Sequence, residues 1–364
     1  MKIEVTQENL NKALVAVSRI ASARGQLPIL ADVLLKTDDE QLTISATDLE
    51  VAITAKITAK IDQAGQVAVP ARLLADFVNN LPHVPVILEN DGVKTKISAG
   101  GFTSVINGGN PDEFPALPEV TDAKELIVAS DVLREAIIAV APVASADTAR
   151  PILTGVYFYT TSDKLMMVAT DGYRLAEKNM SSSKISIEAL VPASTVLEVS
   201  RLISDDTTDI AIKINNEQIS FILGDVNLTS RLIDGKFIDY QQLIPTKADF
   251  SVVVDRAEFI RVVRVASIFA HSAAGSIILK ASTEQQNISV ATLASELGEN
   301  NSSIDAEVGG DGDGNISLNS KYLLDALNFI TSNNVKLRFS GKLAPVLLMG
   351  ENDDYKHIIM PVKS

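Results

Sequence analysis

Residues 27–52 and 150–175 align without a gap at an offset of 123, and this internal repeat constrains the fold more than any other feature of the chain. Pro28-Ile29-Leu30 meets Pro151-Ile152-Leu153, Val33 meets Val156, and Ala46-Thr47-Asp48 meets Ala169-Thr170-Asp171. Upstream, Leu10, Ala13 and Val17 match Leu133, Ala136 and Val140; downstream, Phe114 matches Phe237. Val69-Pro70-Ala71 matches Val191-Pro192-Ala193 at an offset of 122. A third copy is fainter. Val33, Leu42 and Ile44 find Leu279, Ile288 and Val290, each 246 residues on, while the Ala-Thr-Asp tripeptide decays to Thr292-Leu293-Ala294. Three modules therefore fill the 364 residues, with expected limits at 1–123, 124–247 and 248–364.

Each module reads as a short strand, an amphipathic helix, alternating strands, a second helix and more strands. In the first, Thr6 is the expected N-cap of a helix with Leu10, Leu14, Val17 and Ile20 on one face. Ser130 and Asp255 are the expected caps in the other two. Second helices are expected after Pro70, after Pro192 and near Ser320, proline being suited to a helix start because its missing N–H has no partner there. The pattern β-α-βββ-β-α-βββ, three times over, predicts an α+β chain of tandem similar domains, each with two helices packed on antiparallel sheets. With 46% hydrophobic but only 5% aromatic residues and no Trp, the cores must be aliphatic.

Several kinds of chemistry lack their residues. There is no Cys, which removes disulfides, thiolate metal sites and a Cys nucleophile and fits a reducing compartment. His83, His271 and His357 are far apart with no helical-spacing partner. Gly235-Lys236 and Gly341-Lys342 are followed by Phe237 and Leu343, so neither makes a phosphate-binding loop. Asp311, Asp313 and Asn315 have the opening spacing of a calcium loop, but Ile316 stands where the turn glycine belongs and Tyr322 where the closing Glu belongs. That run is expected to be a hairpin loop. Asp48 and Asp171 follow strands in Thr-Asp-Leu and Thr-Asp-Gly, the setting of a turn rather than of paired catalytic carboxylates. No catalytic residue, metal or cofactor is expected, and a metal-dependent hydrolase using Asp48 or Asp171 is the minor alternative. MKIEVTQENL has no apolar signal core, and no apolar run reaches the roughly 18 residues of a membrane span, so a cytoplasmic protein with no membrane association is expected.

LPIL at 27–30, ATDLE at 46–50, VPAR at 69–72, ATDGYRLA at 169–176, FIDYQQLIP at 237–245 and IIMPV at 358–362 occur in one order along the chain. In these segments the sequence resembles the bacterial β sliding clamps, the β subunits of DNA polymerase III, over essentially its full length. The resemblance implies a non-enzymatic ring of two chains, helices inside and sheets outside, that encircles duplex DNA without sequence preference and tethers the replicative polymerase. The implied partners are duplex DNA, a second copy of the chain, the polymerase catalytic subunit, the clamp loader and other proteins carrying a clamp-binding peptide. A scaffold of the same fold that never circles DNA is the alternative.

The residues follow by position. A peptide groove between the second and third modules would comprise Arg150, Ile152, Leu153, Thr170, Gly172, Tyr173, Arg174 and Leu175, then Ile238, Gln242 and Leu243, and finally Tyr322, Pro345, Val346, Ile358, Met360, Pro361 and Val362. Aliphatic and Met side chains make an adaptable apolar slot, and the two arginines suit peptide carbonyls or carboxylates. Tyr173 stands where relatives commonly have His, Ile238 where they have Pro, and the chain ends Val-Lys-Ser. Arg24, Arg72, Arg134, Arg201, Arg261 and Arg264 would face DNA, while Ser194 stands where a basic residue is common. Ile106, Ile268 and Phe269 would meet the second copy, with 102–106 and 276–280 as edge strands. The net charge of -14 opposes phosphate binding unless the charges segregate.

Overall fold

The computed structural model describes residues 1–21, 27–245, 247–270, 275–292, 298–351 and 354–362. The first module runs β1 (Lys2–Thr6), α1 (Gln7–Val17), β2 (Asp32–Asp38), β3 (Gln41–Thr47), β4 (Val51–Thr58), β5 (Lys60–Gln63), β6 (Gln66–Pro70), α2 (Ala71–Asn79), β7 (Pro85–Asp91), β8 (Lys94–Ala99) and β9 (Phe102–Asn107). The second runs β10 (Lys124–Ala129), α3 (Ser130–Val140), β11 (Gly155–Thr161), β12 (Lys164–Thr170), β13 (Arg174–Ser182), β14 (Glu188–Pro192), α4 (Ala193–Leu202), β15 (Asp209–Ile214), β16 (Gln218–Leu223) and β17 (Val226–Arg231). The third runs β18 (Phe250–Asp255), α5 (Arg256–Phe269), β19 (Ser276–Ser282), β20 (Asn287–Ala291), β21 (Asn301–Asp305), β22 (Glu307–Gly309), β23 (Asp313–Asn319), α6 (Ser320–Phe329), β24 (Asn334–Phe339), β25 (Val346–Met349) and β26 (Tyr355–Ile359). The middle module has the expected strand count; the outer two each add one short strand, β5 and β22.

Local signals set the helix starts. The Thr6 hydroxyl accepts from the Asn9 N–H, and Asp255 accepts from the Glu258 N–H at 2.8 Å. Asn319 accepts from both Lys321 and Tyr322, capping α6 one residue before Ser320. Helix α1 buries Leu10, Ala13, Leu14 and Val17 and stops there, leaving Ile20 beyond its end. No helix among the described residues is long and apolar enough to cross a membrane.

The chain packs as two compact units, residues 1–131 with 198–232, and residues 132–197 with 233–364. The middle module is shared between them because each of its sheets continues into a neighbour. In the first unit, β17 pairs antiparallel with β4, Leu228 opposite Ile53, joining an eight-stranded sheet of order β10-β15-β16-β17-β4-β3-β2-β6. In the second, β13 pairs with β26, Leu175 opposite Ile358, within a nine-stranded sheet of order β14-β11-β12-β13-β26-β25-β24-β18-β22. The first unit also holds the sheet β5-β1-β7-β8-β9, and the second holds β21-β20-β19-β23.

Two expectations need correction. Strand β9 does end its sheet, but β19 is internal, flanked by β20 and β23; the edge on that side is β21. The 310–312 turn is not a hairpin, because β22 pairs with β18 in one sheet and β23 with β19 in the other. It crosses between sheets, and glycine is needed there. A Cβ on Gly310 would lie 2.5 Å from the Asp249 carbonyl oxygen, and φ is +142°.

Candidate functional site

The 150–175, 237–243 and 345–362 segments all belong to the second unit, where one apolar cluster ties them together. Val168, Leu175, Leu190, Leu347, Met349 and Ile358 come from the nine-stranded sheet; Phe237 and Tyr240 come from the segment that crosses it, and Ile152 packs against them half-buried. Leu347, Ile358 and Leu175 lie in one cross-strand row. Leu175, Ile358 and Thr170 are buried on the face of that row and form its floor rather than its surface; Val346 is buried as well, but it pairs with Ile359 and turns to the other face of the sheet. Above them, Tyr173, Ile238, Leu243 and Met360 are each at least 37% exposed, an apolar surface resting on an apolar core.

The Thr-Asp turn sets one rim. Thr170 Oγ1 donates to the Arg174 carbonyl and accepts from the Gly172 N–H, while Asp171 Oδ1 accepts from the N–H groups of Tyr173 and Arg174 at 2.8 and 2.9 Å. Asp48 does the same with Glu50 and Val51 in the first module, so both carboxylates are turn formers. Gly172 has φ +91°, and a Cβ there would meet Arg150 Nη1 at 3.5 Å. Arg150 is held by Asp147 at 3.1 Å; the Ala149 N–H and then Arg150 keep the Asp147 carboxyl below its ordinary range.

Arg174 departs from the sequence reading. Its Nε pairs with Asp171 at 3.1 Å, Nη1 with Asp325 at 2.5 Å, and Nη2 donates to the Pro142 carbonyl, while Cζ sits 4.5 Å from the Tyr322 ring centroid. With its side chain 9% exposed, it clasps β13 to α6 and is largely spent on the protein itself. The end of the described chain is docked as expected: Met360 N–H donates to Tyr173 O, and Val362 N–H to Ser317 O. Pro345 is half-buried beside Val346, and Leu343, two residues earlier, is 71% exposed. Leu153 is half-buried, and Gln242 is exposed with its amide donating to Asp239 O.

The equivalent junction in the first unit lacks this floor. Ala52, Thr229 and Ser220 occupy the row of Leu175, Ile358 and Leu347, and Ser45 and Ala68 match Val168 and Leu190. All five are buried and small, and Gly109 closes onto Ala68 through a β-bridge. The apolar slot is thus a property of the second unit's side chains, not of the fold.

Arg72 is exposed on α2, and Arg261 and Arg264 are exposed one turn apart on α5. Arg134 is half-buried on α3. Arg201 pairs with Glu198 at 2.7 Å, and Arg19 reaches the same carboxylate at 3.3 Å. Arg24 lies outside the described residues, as does His271. Ile268 is 69% exposed and Phe269 half-buried on α5. Ile106 is only 5% exposed, facing its own core, while its neighbours Phe102 and Val105 are 55% and 59% exposed. His83 pairs with Glu8 at 3.2 Å; His357 is fully buried with Nδ1 2.8 Å from the Tyr355 hydroxyl, and burial lowers its pKa to about 3. Among the described residues no group of three His, Cys, Asp or Glu is placed to hold a metal.

Family models described as the N-terminal, central and C-terminal domains of the DNA polymerase III beta subunit match residues 1–118, 127–239 and 241–363. The "Beta sliding clamp" of Synechocystis sp. is 32% identical, the alignment covering 100% of this chain and 99% of the relative. That of Staphylococcus aureus is 29% identical over 98% and 96%. The DNA polymerase sliding clamp of Bacillus subtilis superposes with a TM-score of 0.96 at 27% identity, covering 100% of this chain and 99% of that one. The DnaN sliding clamp of Pseudomonas aeruginosa, bound to griselimycin, gives 0.94 at 28% identity over all of both chains.

Proposed function

We propose that this chain, which belongs to the DNA polymerase III beta subunit family, works as a sliding clamp: two copies close around duplex DNA and tether the polymerase without catalysing a reaction. The observation that carries the ring is a matched pair of unused sheet edges. At both internal junctions the last strand of one module pairs with the third strand after the first helix of the preceding module: β17 with β4, and β26 with β13. The same two positions are left over as β9 in the first module and β21 in the third, each ending its sheet. A second copy therefore offers β21 to β9, and β9 to β21. Such a head-to-tail contact closes into a ring or runs on as a filament; closure after two chains uses every such edge. Val105 and Phe102 flank one edge, and Ile268 and Phe269, on the helix packed against β21, flank the other.

The module limits at 123/124 and 247/248 then mark repeated units whose sheets run across the junctions. Arg72, Arg134, Arg201, Arg261 and Arg264 face DNA as a sparse lining, adequate for sliding because topology replaces affinity. The polymerase and other partners dock a short, partly hydrophobic segment on Tyr173, Ile238, Leu243 and Met360. A scaffold that never circles DNA leaves the two complementary edges without a use and is not favoured. The test is retention on nicked circular DNA. The clamp loaded by its loader should stay bound and leave when the circle is cut; equal loss from circle and line sinks the ring.

A further inference from the structure

The 233–249 stretch carries groove residues Ile238, Gln242 and Leu243, yet its only regular structure among the described residues is a 3-10 turn at Gln241–Leu243. Two buried rings anchor it: Phe237 stacks on Tyr157 at 4.9 Å, and Tyr240 meets Phe237 edge-on. Apolar anchoring resists lifting but fixes rotation and sliding poorly. The polar tie is the Tyr240 hydroxyl. It donates to Glu177 and lies 2.6 Å from the Tyr159 hydroxyl. Glu177 is 6% exposed, and its other oxygen meets Lys356 at 3.4 Å, its cross-strand partner on β26. One buried carboxylate thus joins β13, β26 and the crossing segment, three of the pieces that make the groove. Such a network is stable only when each member is satisfied, which gives the segment one position rather than several.

We infer that the Tyr240 hydroxyl, held between Glu177 and Tyr159, is a positioning latch that sets the 237–243 wall of the groove and governs how readily a ligand enters. The inference rests on the groove reading and goes beyond it, because Tyr240, 3% exposed, lies beneath the groove surface and not on it. Losing the latch lowers the fraction of molecules with the wall in place, and apparent affinity falls by that fraction. The loss appears in the association rate. A residue that touches the ligand acts on dissociation instead.

Griselimycin, which the Pseudomonas aeruginosa relative binds, is the probe, with both rates measured on the full chain. Tyr240→Phe keeps the ring and removes the hydroxyl; its association rate should fall about tenfold while dissociation stays within about twofold. Glu177→Gln keeps an acceptor for Tyr240 and should hold association near that of the unaltered chain. Leu243→Ala should act chiefly on dissociation. If Tyr240→Phe does not fold, Tyr159→Phe, which removes the second tie from a half-buried position, should shift association in the same direction by a smaller factor. Unchanged association in the folded Tyr variants, or a loss confined to dissociation, overturns the latch. Failure of the unaltered chain to bind griselimycin overturns the groove reading and the latch with it.

Discussion

Leu49 and Gly172 occupy the same place in the repeated Thr-Asp turn, with φ of +79° and +91°. Glycine takes that conformation freely, whereas leucine pays a steric cost of about 1–2 kcal/mol. Leu49 is 48% exposed, so little packing offsets the strain. Leu49→Asn should raise stability by about 0.5–1 kcal/mol in urea denaturation, asparagine being tolerant of this region. His357 makes a pH prediction. Burial lowers its pKa from 6.5 to about 3, so on acidification the unfolded chain takes the proton first. The associated stability is fully present above about pH 6.5 and drains as pH falls toward 3, at about 1.4 kcal/mol per unit. His357→Gln, which keeps a partner for the Tyr355 hydroxyl, should flatten that part of the stability profile; parallel profiles for the two chains would refute the assignment.

At the scale of elements, β9 separates two jobs that adjacent residues do. Ile106→Ala leaves a cavity in a core and should cost the protomer about 2–4 kcal/mol with little change in the mode of self-association. Val105→Asp leaves the protomer fold intact and should weaken dimerisation at least tenfold in sedimentation, since it places a carboxylate on the edge offered to the second copy. The alternation of FTSVIN predicts a strand, but two apolar residues in succession do not say which one faces the core, and the family resemblance points to Ile106 where the structure exposes Val105. Edge status was no more legible. The apolar alternation of SIILKAS marks β19 as a strand while the polar NSSID of β21 does not, and only the return of β23 beside β19 makes it internal and leaves β21 at the edge. What is legible is the repeat, from identities 123 residues apart, and local signals such as the caps at Thr6 and Asp255 and the prolines before α2 and α4. Arg174 shows the limit. Its motif was visible, but Asp325 lies 151 residues away, and the clasp exists only once the third module folds back. Arg174→Met, which keeps the stem and leaves Asp171 and Asp325 without their cation, should cost about 2–3 kcal/mol in chemical denaturation, below the 3–5 of a fully buried pair because Asp325 is 34% exposed.

At the scale of the whole molecule the question is how a chain of net charge -14 holds DNA. The six described helices carry eight Lys and Arg against seven Asp and Glu, a balance of +1, which leaves -15 on everything else. Within that count Arg201 is already paired with Glu198. A protein that gripped DNA through six to ten phosphate contacts would lose about 10³–10⁵ in affinity between 50 and 200 mM salt. Helices so near neutrality make few such contacts, so residence must come from closure. The lifetime of the loaded clamp on nicked circular DNA should therefore change by less than about threefold over that salt range, while the chain shows no lasting hold on linear DNA at either salt. Arg261→Glu with Arg264→Glu should slow loading, which begins as an electrostatic encounter, and leave residence on the circle unaltered. Residence that collapses with salt, or that shortens with the two substitutions, would make the tether electrostatic and leave the matched edges of β9 and β21 without their role.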